Sequence, residues 1–554
     1  MSSGTRVDPY GAKRVQEEVS QRLNDKVRRL GLSPRQQVLN ELWAHYRCMF
    51  YDARSVEWDG SKRQVGVERE AIATCGFIPP GFYDAGGKML PLRFRRPSAP
   101  YALPKVIVDR FTGLLFSERR NPRLRCPGDP DTEDYVQALA EAGRLWPAMM
   151  LARTYGGALG SVAVGFQVYD GKPMFEVHDP RWLIPDFEDM FSLKLRSIEK
   201  RYQFPKEERD ETGAWVEQPY WYRRVIDEHA DTLYTPVLVP EDGSEPEWTI
   251  QRRVEHELGF CPVVWIQNQP VQDAIDGDSD CHGIFDMVEQ IDALIAQGNR
   301  GTITNADPTV VITTPDEMPS VTTGSSSAVK ISQGDVKFLE ITGTGPKAAF
   351  DAADKLRAYA LEVAQCVLDH PDSAQRTATE VDRVYSSMLA KADVLREQYG
   401  QRGVLAVLEI ALNVARKIGT ASADAGAVQR GSILLPDRVL PQPDGAPPKM
   451  TPRKLGNGTN IQVQWGAYFA PSLQDTVAAT TAAASAKQAS LIDAEHASSF
   501  VAEHYHVEDV GQMLTKIGQE AEVAQQQMED QMMADIGNRG KAGSDDPEDV
   551  GEGA

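Results

Sequence analysis

The sequence predicts an α+β chain, and three observations predict it. Helical text over roughly the first 160 residues gives way to text of period two around an Asp170-Gly171 hairpin signal. Two amphipathic helices of similar length then flank a set of short β-runs. A helical pattern from Thr379 to Ile418 follows them. Helices and antiparallel strands kept in separate stretches of the chain are the pattern of α+β architecture.

Residues 12 to 54 read as helices: Val15, Val19, Leu23 and Val27 recur at helical spacing, and Ser33-Pro34 opens a second run through Val38, Leu42, Tyr46, Met49 and Phe50. Prolines and glycines between Pro79 and Pro100 break any regular element. A helix is expected from Lys105 through Phe116 and a longer one from Asp131 to Leu151, followed by a small-residue turn from Tyr155 to Gly160. Val162, Val164, Phe166 and Val168 alternate, as do Met174, Glu176 and His178. Strand-like pieces continue through Trp221 to Ile226, Leu233 to Val239, Trp248 to Val254 and Val263 to Gln267.

From Cys281 to Thr304 one amphipathic helix, roughly 35 Å long, carries Ile284, Met287, Val288, Ile291, Leu294 and Ile295 on a stripe. Asp286, Glu289 and Asp292 fall on other faces. Short β-runs are read at Thr309 to Thr313, Ala328 to Ser332 and Val336 to Thr342. A second helix, Lys347 to Leu368, aligns Leu356, Tyr359, Ala360, Val363 and Val367 and is expected to stop at His370-Pro371. Helix out, β-tip and helix back make a hairpin. After a polar loop from Asp369 to Ala378, the pattern from Thr379 to Ile418 contains Gly400 and Gly403 and predicts a long helix kinked near its middle. Residues 419 to 470 return to loops and strands, including Ile461 to Trp465, and Pro471 to Gln527 is Ala-rich and helical.

Composition restricts the function classes. With 59 Lys and Arg against 80 Asp and Glu, the chain carries −21, which argues against a protein that coats nucleic acid by neutralising phosphates. Residues 1 to 125 nevertheless hold 23 basic and 13 acidic residues, so the two ends are expected to face different partners, or opposite sides of one assembly. From Gln519 to Ala554 there are 10 acidic and 2 basic residues, and 529 to 554 reads as an acidic disordered tail. The 6 cysteines lack metal-ligand or disulfide spacing, which fits a reducing compartment. No apolar stretch is long enough to span a bilayer, so no membrane insertion is expected.

No motif yields a catalytic constellation. Asp276, Asp278 and Asp280, with Asp273 and His282 beside them, imitate the start of a calcium loop. Cys281 stands where that loop needs glycine, and Met287 where it needs a bidentate glutamate. The cluster reads instead as a solvated helix N-terminus. Gly343 to Lys347 lacks phosphate-loop spacing, and Ser161 lacks the flanking glycines of a nucleophile elbow. His504 and His506 have no third metal ligand nearby and read as structural. Arg93, Arg95, Arg96, Arg119, Arg120, Arg123 and Arg125 lack interleaved aromatics and read as a solvated or subunit-facing patch. No metal and no cofactor is expected.

The order of these elements resembles the portal proteins of tailed bacteriophages. Gly277-Asp-Ser-Asp280 opening a helix, then Asn305-Ala-Asp-Pro-Thr-Val-Val-Ile312, is similar to that family's passage from stem to clip. Thr377-Ala-Thr-Glu-Val381 leading to Ser387-Met-Leu-Ala-Lys391 is similar to the start of its helix after the tunnel loop. Val106 to Gly113, Asn121 to Leu124 and Gly156-Gly157 are similar to wing segments. The resemblance covers roughly residues 35 to 525 and rests on order more than on any one motif.

The resemblance implies a portal-like α+β chain with an α/β wing over 1–280, stem helices at 281–304 and 347–368, and a small β-rich clip at 305–346. A tunnel loop at 369–378, a long kinked helix and wing return over 379–470, and a helical crown over 471–528 complete it. It further implies a homo-oligomeric ring of about twelve subunits at one capsid vertex of the virion, assembled in the host cytoplasm, conducting double-stranded DNA during packaging and ejection. The implied partners are the terminase large subunit, a head-tail adaptor, the major capsid protein and a scaffolding protein, with ATP hydrolysed by the terminase and not by this chain. His370, Asp372, Ser373, Gln375 and Arg376 would meet DNA in the tunnel loop, the alternative being a turn packed against the neighbouring subunit, and Asp286, Glu289 and Asp292 would either line the channel wall or serve as subunit-facing salt-bridge partners. An acidic wall keeps a duplex mobile, because it offers phosphates no counterion-releasing contact. Two other classes stay open: a metal-dependent nuclease at the capsid vertex, resting on Asp276 to Asp280, and a small head-tail adaptor that forms no ring.

Overall fold

The computed structural model describes residues 33–48, 100–117, 120–169, 171–189, 191–209, 215–240, 244–306, 309–313, 335–339, 344–368, 378–424, 433–436, 450–466, 468, 473–489, 491–493, 496–498, 501, 515–520 and 522–523. Helix α1, Pro34–Tyr46, starts where the sequence places it: Ser33 Oγ accepts from Gln36 N, and Gln36 Oε1 accepts from Ser33 N in return. Helix α2, Leu103–Leu115, buries Leu103, Ile107, Val108, Phe111, Leu114 and Leu115. After the short strand β1, Arg123–Arg125, the single helix expected over 131 to 151 is two helices. They are α3, Pro130–Ala142, and α4, Leu145–Leu159. Pro147 has no N–H and belongs in a helix's first turn, so a new helix must start just before it. Arg144, in left-handed conformation at φ 53°, makes that break.

The small-residue turn expected at 155 to 160 is also revised, because α4 continues through it and ends at Gly160, φ 91°. A Cβ at Gly160 would lie 2.0 Å from the Gly277 carbonyl oxygen. Strands β2, Ser161–Tyr169, and β3, Lys172–His178, form the predicted hairpin, with Tyr169 opposite Lys172 and Gly171 at φ 72°. Strands β4, Leu183–Asp189, and β5, Lys194–Arg209, were not anticipated. With β6, Trp215–Ile226, β7, Ala230–Tyr234, β8, Val237–Leu238, and β9, Ile250–Glu255, they form an antiparallel sheet. Their text hides the period because both faces of the sheet carry charge: Arg223 Nε donates to Glu199 at 2.9 Å on one face, and Arg224 donates to Asp231 at 2.8 Å on the other. Strand β10, Val263–Gln267, pairs with β2. Ala163, Leu183, Leu195, Ile198, Ile226, Val263 and Trp265 make a shared core between the two sheets.

Helix α5, Phe285–Ala306, strands β11, Thr309–Thr313, and β12, Asp335–Leu339, and helix α6, Thr344–Val363, follow in the predicted order. The strands pair antiparallel from Thr309 opposite Leu339 to Thr313 opposite Asp335. Ala328 to Ser332 lie outside the described residues. Helix α6 stops at Val363, well before His370-Pro371, and Gln365 at φ 53° turns the chain. Helix α7, Ala378–Glu397, runs into a π-helical segment, Gln398–Leu405, and on into α8, Ala406–Asp424. Where a kink is predicted near Gly400 and Gly403, the helix carries a π segment. Strands β13, Leu434–Pro436, and β14, Met450–Pro452, pair with each other, while β15, Gln462–Gln464, pairs with β1. This compact unit comprises Met1–Asp369 and Tyr385–Gly466. A second unit, His370–Val384 and Ala467–Ala554, contains α9, Leu473–Gln488, and a helical stretch at 515–520. The fold is α+β, and the tail over 529–554 lies outside the described residues.

Candidate functional site

The two-helix hairpin is close-packed because glycine permits it. A Cβ at Gly298 of α5 would lie 2.9 Å from the Phe350 ring of α6, and one at Gly301 would lie 2.7 Å from Pro346. Of the expected stripe, Ile284 just before α5 and Val288 and Ile291 within it are buried, and Met287, Leu294 and Ile295 are half-buried. On α6 the expected stripe is divided: Ala360 is buried and Leu356 half-buried, whereas Tyr359 is 57% and Val363 51% exposed.

The acidic residues assigned to a channel wall do not share one environment. Asp286 is exposed and Glu289 is half-buried. Asp292 is buried, and its Oδ1 accepts from the backbone N–H of Tyr101 at 2.6 Å. Asp292 is thus committed to a contact inside the chain. His370, Asp372, Ser373, Gln375 and Arg376 lie outside the described residues, as do Arg93, Arg95, Arg96, Arg119, His504 and His506.

At the foot of the hairpin the structure assembles a buried polar joint that no motif announced. Asp280, expected in solvent at a helix start, is buried with no exposed side-chain surface. Its Oδ2 accepts from Arg153 Nη2 at 2.6 Å, and Arg153 is equally buried. Its Oδ1 accepts from Asn268 Nδ2 at 3.1 Å and lies 3.9 Å from Lys391 Nζ. Lys391, on α7, donates to the carbonyl oxygens of Ala364 at 3.0 Å and Asp280 at 3.3 Å. Tyr399 of the π segment donates its hydroxyl to Asn268 Oδ1 at 3.1 Å, with its ring 5.3 Å from the Arg153 guanidinium. The joint ties the foot of α5, the end of α6, α4, β10's exit and the long helix together.

Glycines make room for it. A Cβ at Gly157 would lie 2.1 Å from Arg153 Nη1, and one at Gly156 would lie 1.9 Å from the Tyr399 hydroxyl. Burial pulls Lys391 below the usual lysine range, and Arg153 adds to this while Asp280 opposes it. Burial also pushes the neighbouring Cys366 thiol up to about 11. Such a joint positions elements; it holds no nucleophile or base open to a substrate.

The rest of the acidic cluster is dispersed. Asp276 pairs with Arg35, whose Nη1 also donates to Leu183 O at 2.8 Å, and Asp278 lies 3.4 Å from His282. Among the described residues no group of three acidic, His or Cys side chains is arranged to hold a metal ion, and no helix is long and apolar enough to cross a membrane.

A second, half-buried network joins the sheets. Arg224 donates to Glu176 at 2.9 Å and to Asp231 at 2.8 Å. His178 is buried beside it, and among the described residues neither ring nitrogen has a hydrogen-bond partner, Nδ1 lying 3.5 Å from Glu176 Oε1. Burial lowers His178 to about 4, against the pull of Glu176. Arg153 had a signal in the sequence: it is the one charged residue of α4. Lys391 had none, since α7 is charged throughout. No family model matches this chain, and no curated protein matches it in sequence.

Proposed function

We propose that this chain is a portal-type subunit, about twelve copies of which form a ring that conducts double-stranded DNA through one capsid vertex. One observation supports it above the rest: an antiparallel two-helix hairpin carries a two-stranded β-tip and leads on to a long helix with a π interruption. That is the stem, clip, stem and kinked-helix order of the family the sequence resembles. In this reading α5 and α6 are the stem, β11 and β12 belong to the clip that docks the terminase and later the head-tail adaptor, and the buried joint fixes the stem on the wing.

The exposed Tyr359 and Val363 are the apolar surface a neighbouring stem would cover. The test is native mass spectrometry with ring-averaged electron micrographs of the purified chain. Closed rings of about twelve subunits are expected. A monomer at micromolar concentration removes the reading.

A further inference from the structure

We propose that the π segment Gln398–Leu405 is a register switch, and that Lys391 in the buried joint is its latch. This goes beyond the portal reading and does not depend on it. A π turn holds a surplus residue relative to an α-helix and has poorer hydrogen-bond geometry, so it persists only where surrounding contacts hold it. Three sets of contacts hold it here. Tyr399 is held by Asn268 and stacked against Arg153. A Cβ at Gly400 would lie 3.0 Å from the Trp465 indole nitrogen, and one at Gly403 would lie 3.0 Å from Met149 Cε. Buried Gln398 Oε1 finds no hydrogen-bond partner among the described residues, so the segment is incompletely satisfied as it stands.

Upstream, α7 is fastened to the foot of the hairpin by the Lys391 bonds to Ala364 and Asp280. Closing the π turn to α would absorb the surplus residue. If α8 keeps its seat, α7 must then rotate by about 100° and slide by about 1.5 Å along its axis. That motion lifts Lys391 off both carbonyl oxygens. The helix therefore has two registers: one latched, with the π turn, and one unlatched and fully α-helical. The device would let the long helix and the stem foot move as a discrete step, as bistable packed elements do.

The test places spin-labelled non-canonical side chains at Ala390 on α7 and Leu151 on α4, in the full chain, and reads their separation. The parent should show one dominant distance. Lys391→Met should add a second, displaced population. Deleting Gln401 in the Lys391→Met background removes the surplus residue and should abolish that second population. A single unchanged distance in Lys391→Met, or a second population that survives the deletion, overturns the proposal. If Lys391→Met does not fold, hydrogen exchange on the unmodified chain decides. Amides of Gln398–Leu405 should exchange faster than those of Met388 to Leu395 and of Leu408 to Leu412, and equal protection across the three overturns it.

Discussion

At the scale of the residue, the joint and the sheet network give opposite lessons about buried charge. Asp280 neutralises Arg153 where neither has water, so Asp280→Asn leaves a buried guanidinium unpaired, at a cost of about 3–5 kcal/mol. Urea unfolding should show that loss as a lower midpoint with an unchanged slope. Gly156→Ala should be comparably damaging, because its methyl would meet the Tyr399 hydroxyl at 1.9 Å. An unaltered midpoint in both variants would mean that the joint is slack.

His178 behaves differently. Held neutral to about 4 in the folded chain, it takes up a proton more readily unfolded, near its ordinary value of 6.5. Stability is therefore lost as pH falls from about 6.5 to about 4, by on the order of 3 kcal/mol. His178→Met should erase that part of the pH dependence, and identical pH profiles in parent and variant would contradict it. Neither residue was singled out as buried by the sequence. His178 alternates with Met174 and Glu176 as any strand residue does, and Asp280 sits in a run of acids that looks solvated.

At the scale of the element, periodicity carried the reading wherever one face is buried and one is wet. The α5 stripe and strand β3 have that property, whereas the capped start of α1 and the turn between β2 and β3 are legible from local cap and turn residues. It failed where the chain has no single inside. Strands β4 and β5 carry ion pairs and half-buried aromatics such as Tyr202, which stacks on Tyr222 at 4.8 Å, so no alternation shows. The end of α6 was missed because a left-handed Gln365 stops the helix before any proline can.

The hairpin allows a test that separates folding from association. Ile291 is buried in the single chain, so Ile291→Asp should destabilise the fold itself by several kcal/mol. Tyr359→Ser with Val363→Ser should leave the melting temperature of the monomeric chain within a few degrees and weaken self-association, because both side chains are already exposed. Normal assembly in the double variant would show that this face is not the subunit contact.

At the scale of the whole molecule, what the sequence offered was the order of elements and the sign of the charge. The order is a linear property and is legible. The joint depends on residues from 153 to 399 meeting in space, which a single sequence does not encode in any local pattern. Charge sets how assembly responds to salt. A chain at −21 repels its own copies, and a ring of about twelve would gather a charge near −250. Salt shortens the reach of that repulsion to about 10 Å at 0.1 M. The proposed ring should therefore form more completely as salt rises from about 50 to about 300 mM, the apolar contacts at Tyr359 and Val363 being insensitive to screening. Binding of free duplex DNA should stay weak throughout and weaken further with salt, since an acidic chain has few counterions to release from phosphates. Sedimentation across that range, with and without DNA, reads both at once. Rings that dissociate as salt rises would mean that ion pairs between copies, not apolar burial, hold them, and the contact would then have to be sought among charged faces such as Asp286 and the basic residues of the first 125.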